Sequence, residues 1–462
     1  MPTTTTTTRP YQSNNWIVAE NARPGTDAWQ VTQAGQHGDF IEGYFGQSQY
    51  GAGDSWELHV DTPAQTWHVE AYRMGDYGGK RGRLVWRSDD QLGVKQGRAI
   101  IDPETNMAEA RWPVSLTGKI DDIWPPGAYL FKLVSSNGAQ GYVPLTIHQP
   151  ERAADVAIVQ AVITWQTYND WGSCSGYKCI GGPSKNGESR ANVVSFERPI
   201  WSYYNHGSAD FLDHELPLIA TVESLGLNVT YITDIDLHEH PEWALTYKAI
   251  LTTGHDEYYT TEMYDALIAA RDRGVNLAFF GANAVYRRVR LEPNADGLAH
   301  RRIATYRFGN DPQGGGKNAT IEWRSLNRPE NALIGVSYGC APMAGDMVIS
   351  HAEHWVWHNT GLHDGDVLPH IVGPEYDKVV NNGLTPKSLV RLSESPIRCS
   401  GRSDTANSSY YVADSGAGVF ATGTIWWIAD LDASVSGLST ATVLHTATEN
   451  VLKRFAVGPA GP

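Results

Sequence analysis

Positive charge and cysteine are both scarce in this chain, and long apolar runs are missing. Against 51 aspartates and glutamates it sets only 36 lysines and arginines, a formal charge of −15 over 462 residues. Nucleic acid and anionic membrane surfaces both call for basic patches, so neither is an expected partner. No apolar stretch reaches the ~18 residues of a membrane span. The first ten residues, MPTTTTTTRP, lack a basic segment followed by an apolar one, so they do not read as a signal peptide, and the compartment is left open. Four cysteines are too few for a disulfide scaffold in a chain of this size. Cys174 and Cys179 are close enough to pair locally, which leaves Cys340 with Cys399. Whether either bridge forms is open at this stage.

Aromatic residues are plentiful, with 16 tryptophans and 22 tyrosines, and 41% of the chain is hydrophobic. The length predicts two or three domains. Residues 1–14 read as a disordered tail. From 15 to 150 come short alternating runs, at 55–60, 66–72, 83–87, 110–114, 128–134 and 141–148, broken by Gly, Pro, Asp and Asn. That pattern predicts an all-β, immunoglobulin-like sandwich. The glycine-rich tract 73–79 has no helix and no P-loop lysine after it, so it is a rim loop rather than a phosphate cradle.

After a linker at 149–152 the pattern changes. Continuous apolar strands are expected at 155–164, 228–233, 249–253 and 276–280, with helices at 209–225 and 260–273. Alternation of this kind over 153–283 predicts a flavodoxin-like, three-layer α/β domain spanning 151–462. Beyond 301 the chain reads as β and loop, with a hairpin from 409 to 428 and a last helix over 440–455. In open parallel sheets, ligands bind beyond the carboxyl ends of the strands. The 249–253 strand leads into Gly254, His255, Asp256 and Glu257 at such an end. The tract 164–177, with Tyr168, Trp171 and Tyr177, leaves the same sheet end. The plainer readings are a helix cap for His255 and Asp256, and aromatic filler for the loop.

Eight stretches, taken in order, resemble the catalytic large subunit of N,N-dimethylformamidase and its single-chain relatives. They are TWQTYNDWG at 164–172, SFERP at 195–199, HELP at 214–217, YITDIDL at 231–237, GHDEY at 254–258, GVNLAFFGAN at 274–283, HWVWHNTGLHDGD at 354–366 and VGPEYD at 372–377. The resemblance implies a class I glutamine-amidotransferase-like α/β fold that carries one mononuclear ferric iron (Fe3+). Its ligands by position are Tyr168, Tyr177 and Glu257, with Tyr203 or Tyr204 as substitutes for Tyr177. It further implies that His255 and Glu375 form an acid–base pair and that Asn283 lies in the substrate pocket. The expected activity is hydrolysis of a small linear amide or N-substituted formamide, with the sandwich helping to position or close the cleft. Oligomeric state is left open.

Four motifs point elsewhere. Gly172-Ser173-Cys174-Ser175-Gly176 matches a nucleophile elbow, but without the flanking strand and helix that an elbow needs. His255-x-Glu257 mimics a zinc deaminase without its P-C-x-x-C. His238-Glu239-His240 and His351-Ala352-Glu353-His354 have metal-ligand composition, yet read as surface or loop packing. The non-enzymatic alternative is a secreted ligand- or glycan-binding protein on a degenerate amidase scaffold.

Overall fold

The computed structural model describes residues 16–32, 40–150, 152–181, 187, 189–307, 311–314 and 318–461. The tail expected at 1–14 lies outside the described residues. The front of the chain folds into two facing sheets. Strands Glu42–Phe45, Ser55–Asp61 and Leu116–Lys119 form one. Thr66–Met74, Gly127–Ser135 and Gln140–His148 are the long strands of the other. Alternation in Ser55–Asp61 turns Trp56, Leu58 and Val60 inward, where they share one core with Phe45, Val69, Phe131 and Leu133.

The longest sheet has seven strands. In chain order these are β1 (Val156–Gln160), β2 (Val229–Thr233), β3 (Ala249–Thr252), β4 (Asn276–Phe279), β5 (Val390–Arg391), β6 (Ser409–Val412) and β7 (Gly418–Ala421), and they lie in the order β2-β1-β3-β4-β7-β6-β5. The pairs from β2 to β7 are parallel, and the last two pairs are antiparallel.

The expected flavodoxin-like three-layer domain behind an immunoglobulin-like sandwich is therefore corrected. The described residues form nine separate sheets, so the molecule is β-rich throughout. A doubly wound domain returns each strand through a helix. Here the chain from β4 to β7 returns instead through loops and two-stranded sheets, such as Ser337–Cys340 with Tyr376–Lys378 and Ser395–Cys399 with Arg402–Ala406.

Two local departures shape the site. The first strand stops at Gln160, and helix α1 (Val162–Tyr168) replaces the end of the predicted strand and the start of the predicted loop. The predicted helix over 209–225 breaks at Glu215, giving a short turn Phe211–His214 and then α2 (Leu216–Ser224). Pro217 cannot continue a hydrogen-bonded helix from the preceding turn. Glu215 points inward, where its carboxylate accepts from Trp165 Nε1 (3.1 Å), Thr253 Oγ1 (3.1 Å) and Gln160 Nε2 (3.2 Å). Burial pushes its carboxyl up to about 8. Helix α3 (Thr261–Asp272) starts where the sequence places it, capped by Thr260, whose hydroxyl accepts from Met263 N.

Candidate functional site

The site is assembled from the carboxyl ends of β1 and β3 and the segments after them. Tyr168 closes α1, and Thr164 of the same helix accepts the Glu257 backbone N–H at 3.1 Å. Further along, the chain is pinched by a disulfide between Cys174 and Cys179, and Tyr177 sits inside that small loop. The loop is also clamped by Arg198, which is fully buried. Its guanidinium donates to four backbone carbonyls, those of Trp171 (3.0 Å), Cys174 (2.9 Å), Gln166 (3.0 Å) and Asn169 (3.0 Å). Burial pulls the guanidinium down to about 9, with Asp170 opposing. Cys340 and Cys399 form the second disulfide.

Three oxygens meet at Glu257. Its Oε2 accepts the hydroxyls of Tyr168 at 2.7 Å and of Tyr177 at 2.5 Å, and the two rings stack at 4.2 Å between centroids. Burial, with the Glu257 carboxylate next in size, holds both phenols far above the ordinary tyrosine range. Left to themselves they are protonated phenols. Tyr203 is 85% exposed and Tyr204 bonds to Asp210, so neither replaces Tyr177 beside Glu257.

Across a 4.7 Å ring contact with Tyr168 lies His255. Its Nδ1 faces Asp210 Oδ2 at 3.2 Å, while Nε2 lies 4.0 Å from Glu375 Oε2 and 3.9 Å from Glu257 Oε2. The residue that holds the imidazole is thus Asp210, not Glu375. Burial opposes a charge on the ring, but Asp210, Glu375 and Glu257 outweigh it and raise His255 to about 9. Glu375 is pushed up to about 7, first by burial, with His255 and the Asn283 side chain opposing. Asn283 ends the segment after β4 at φ +56, a conformation asparagine tolerates better than most residues. Its backbone N–H donates to Asp377 at 2.8 Å. His255 Nε2, Glu375 Oε2 and Asn283 Oδ1 are buried without a hydrogen-bond partner. Next to them a cavity of about 430 Å3 is lined by Tyr168, Trp201, Tyr204, Asp210, His255 and Glu375.

Asp210 and Arg307 are the members the sequence did not disclose. Asp210 stands 45 residues before His255 in a stretch that reads as a helix start. Arg307 lies in a loop, with its guanidinium 4.0 Å from the centre of the Tyr177 ring. The rival constellations disperse. Cys174 carries no thiol, being bonded to Cys179. His238 bonds to Thr260 and Glu262, Glu239 to His300, and His351 to the Arg391 carbonyl. Among the described residues no group of three or more His, Cys, Asp or Glu could hold a metal. The donor set at Glu257 is of another kind, two phenols and one carboxylate. All-oxygen sets of this sort suit hard cations.

The front strands reach this site through a small aromatic cluster of Tyr44, Trp112 and Trp171, with Trp201 packed against it. Glu42 accepts from Trp171 Nε1 at 3.0 Å, and burial pushes its carboxyl up to about 7.

A family model described as N,N-dimethylformamidase beta subunit-like, C-terminal, matches residues 68–441, starting inside the front strands rather than at the linker near 150. No curated protein matches the chain. Solved structures with some similarity include an uncharacterized protein from Bacillus anthracis str. Ames, at 12% identity over 27% of this chain and 93% of that one, with a TM-score of 0.17. Others are the RIG-5 IG1 homodimer, at 11% identity over 25% and 95% with a TM-score of 0.12, and a Paenibacillus sp. cycloisomaltooligosaccharide glucanotransferase, at 9% identity over 68% and 62% with a TM-score of 0.19. TM-scores this low assign neither fold nor function.

Proposed function

The chain belongs to the N,N-dimethylformamidase beta subunit-like family, and from that membership we propose that it hydrolyses a small linear amide or N-substituted formamide to a carboxylic acid and an amine. The observation that carries the reading is the meeting of Tyr168, Tyr177 and Glu257 within 2.7 Å, with His255 and Glu375 across the same cavity.

Tyr168, Tyr177 and Glu257 would hold a mononuclear ferric ion, which when bound polarises the amide carbonyl and acidifies water. The phenols fit that role because a hard cation replaces the protons that burial otherwise keeps on them. The remaining chemistry falls to the chain itself. Glu375, 4.0 Å from His255, would accept the proton of the attacking water, and His255, held charged by its acidic neighbours, would give one to the departing amine and be recharged from Glu375. Asp210 fixes the imidazole so that Nε2 faces the cavity. The Asn283 side chain hydrogen-bonds Glu375 and so steadies it, and its amide N–H would be the donor offered to a developing oxyanion. Tyr168, Trp201 and Tyr204 give the cavity an aromatic wall. The front strands, through Trp112 and Trp171, support the loop that carries Tyr177.

The test is release of acid and amine from a panel of small amides and formamides by the full chain, with His255→Asn and Glu375→Gln beside it. Turnover that falls by about 10²-fold or more in both variants is expected. Turnover indifferent to both, or absent from the whole panel, would sink the hydrolase reading in favour of a binding protein.

A further inference from the structure

Tyr258 and Arg307 touch the site and have no part in the chemistry above. The Tyr258 hydroxyl lies 2.7 Å from the Tyr177 hydroxyl, and Arg307 Nη2 lies 2.5 Å from the Tyr258 oxygen. Tyr177 has one hydroxyl hydrogen, and at 2.5 Å it is directed to Glu257. The bond between the two tyrosines is therefore donated by Tyr258, whose own oxygen accepts from Arg307. The hydrogen bonds thus run from Arg307 to Tyr258 to Tyr177 to Glu257, and the Arg307 guanidinium also donates to the Tyr177 hydroxyl directly. Among the described residues the Tyr168 hydroxyl meets Glu257 alone. Both helpers are held in place. The Tyr258 ring is fully buried on a strand paired with Arg287 and Arg288. Arg307 comes after Thr305 and Tyr306, whose N–H groups donate to Asn192 and Thr320.

We propose that Tyr258 and Arg307 are positioning residues that fix the Tyr177 oxygen on Glu257 and make the two phenols electronically unequal. The inference rests on the metal reading above. A hydrogen bond donated to an anionic oxygen stabilises charge there, so the phenolate that receives it donates less electron density outward. With iron bound, Tyr177 is then the weaker donor and Tyr168 the stronger.

The experiment is the iron content and visible absorption of the full chain as purified, for wild type, Tyr258→Phe and Arg307→Gln, with the exposed Tyr203→Phe as control. Circular dichroism confirms that each variant is folded. Removing the Tyr258 hydroxyl raises the energy of the Tyr177 phenolate, so the tyrosinate-to-iron band moves to longer wavelength, by on the order of tens of nanometres, with iron retained. Arg307→Gln shifts it less, in the same direction, and Tyr203→Phe leaves it in place. Iron retained with an unmoved band in Tyr258→Phe overturns the proposal while leaving the metal site standing. So does an unmoved band in Arg307→Gln, should Tyr258→Phe lose its iron. A wild type without iron removes the metal reading and this inference with it.

Discussion

At the scale of single residues, the site depends on side chains that hold others. Asp210 accepts from His255 Nδ1 and so decides which nitrogen faces Glu375. Asparagine is nearly isosteric but offers a donor as well as an acceptor, so the wrong tautomer becomes available. Asp210→Asn is expected to lower kcat by about 10²-fold or more with KM nearly unchanged, as orientation rather than binding is lost. A proportional rise in KM would instead place Asp210 in substrate binding. Arg198 holds four carbonyls of the tyrosine-bearing segment. Arg198→Met leaves them buried and unpaired, and a loss of about 3 kcal/mol or more in urea unfolding is expected. The residues proposed to carry chemistry could be named from the sequence because they cluster in short motifs: Tyr168 in TWQTYNDWG, His255 and Glu257 in GHDEY. Asp210 and Arg307 could not, because side chains that orient others need no local spacing, and only the folded chain brings them near.

Elements show the same division. The cap at Thr260 and the apolar face of α3 are local features, and the sequence places that helix within a residue of where it lies. The start of α1 is not local in this sense. Its apolar residues read equally well as a buried strand, and it is the contact of Trp165 with Glu215 that settles the chain into a helix there. Glu215 likewise ends the short turn before α2, because an inward carboxyl with four donors outweighs the helical continuity its neighbours favour. The tie between the front strands and the site gives a pH-dependent prediction. Glu42 titrates near 7 in the folded chain, against about 4.5 when unfolded. Its contribution is fully present below pH 4.5 and is lost as pH rises through 7. Glu42→Gln keeps an acceptor for Trp171 but cannot ionise. It should melt a few degrees above wild type at about pH 8 and together with it at about pH 4. Equal melting temperatures at both values would place the Glu42 carboxylate in water.

Across the whole molecule, strand signals were easier to read than their assembly. Residues 153–283 do contain four parallel strands, but four strands do not specify a three-layer domain. The chain beyond β4 decides the architecture, and its long return to β7 forms small antiparallel sheets instead of crossover helices. Short β elements separated by many turns leave no periodicity from which pairing could be inferred, since their partners are distant in sequence. Family membership was more legible than fold for the opposite reason, as the motifs that carry it are contiguous. On the proposed function, Tyr168, Tyr177 and Glu257 together hold a hard metal ion. Iron content with a visible spectrum, on wild type, Tyr168→Phe, Tyr177→Phe and Glu257→Ala, tests it most directly. Near-stoichiometric iron with a tyrosinate-to-iron band that weakens or vanishes in each variant is the expected result. Iron absent from the wild type, or bound with a spectrum indifferent to all three changes, would contradict it.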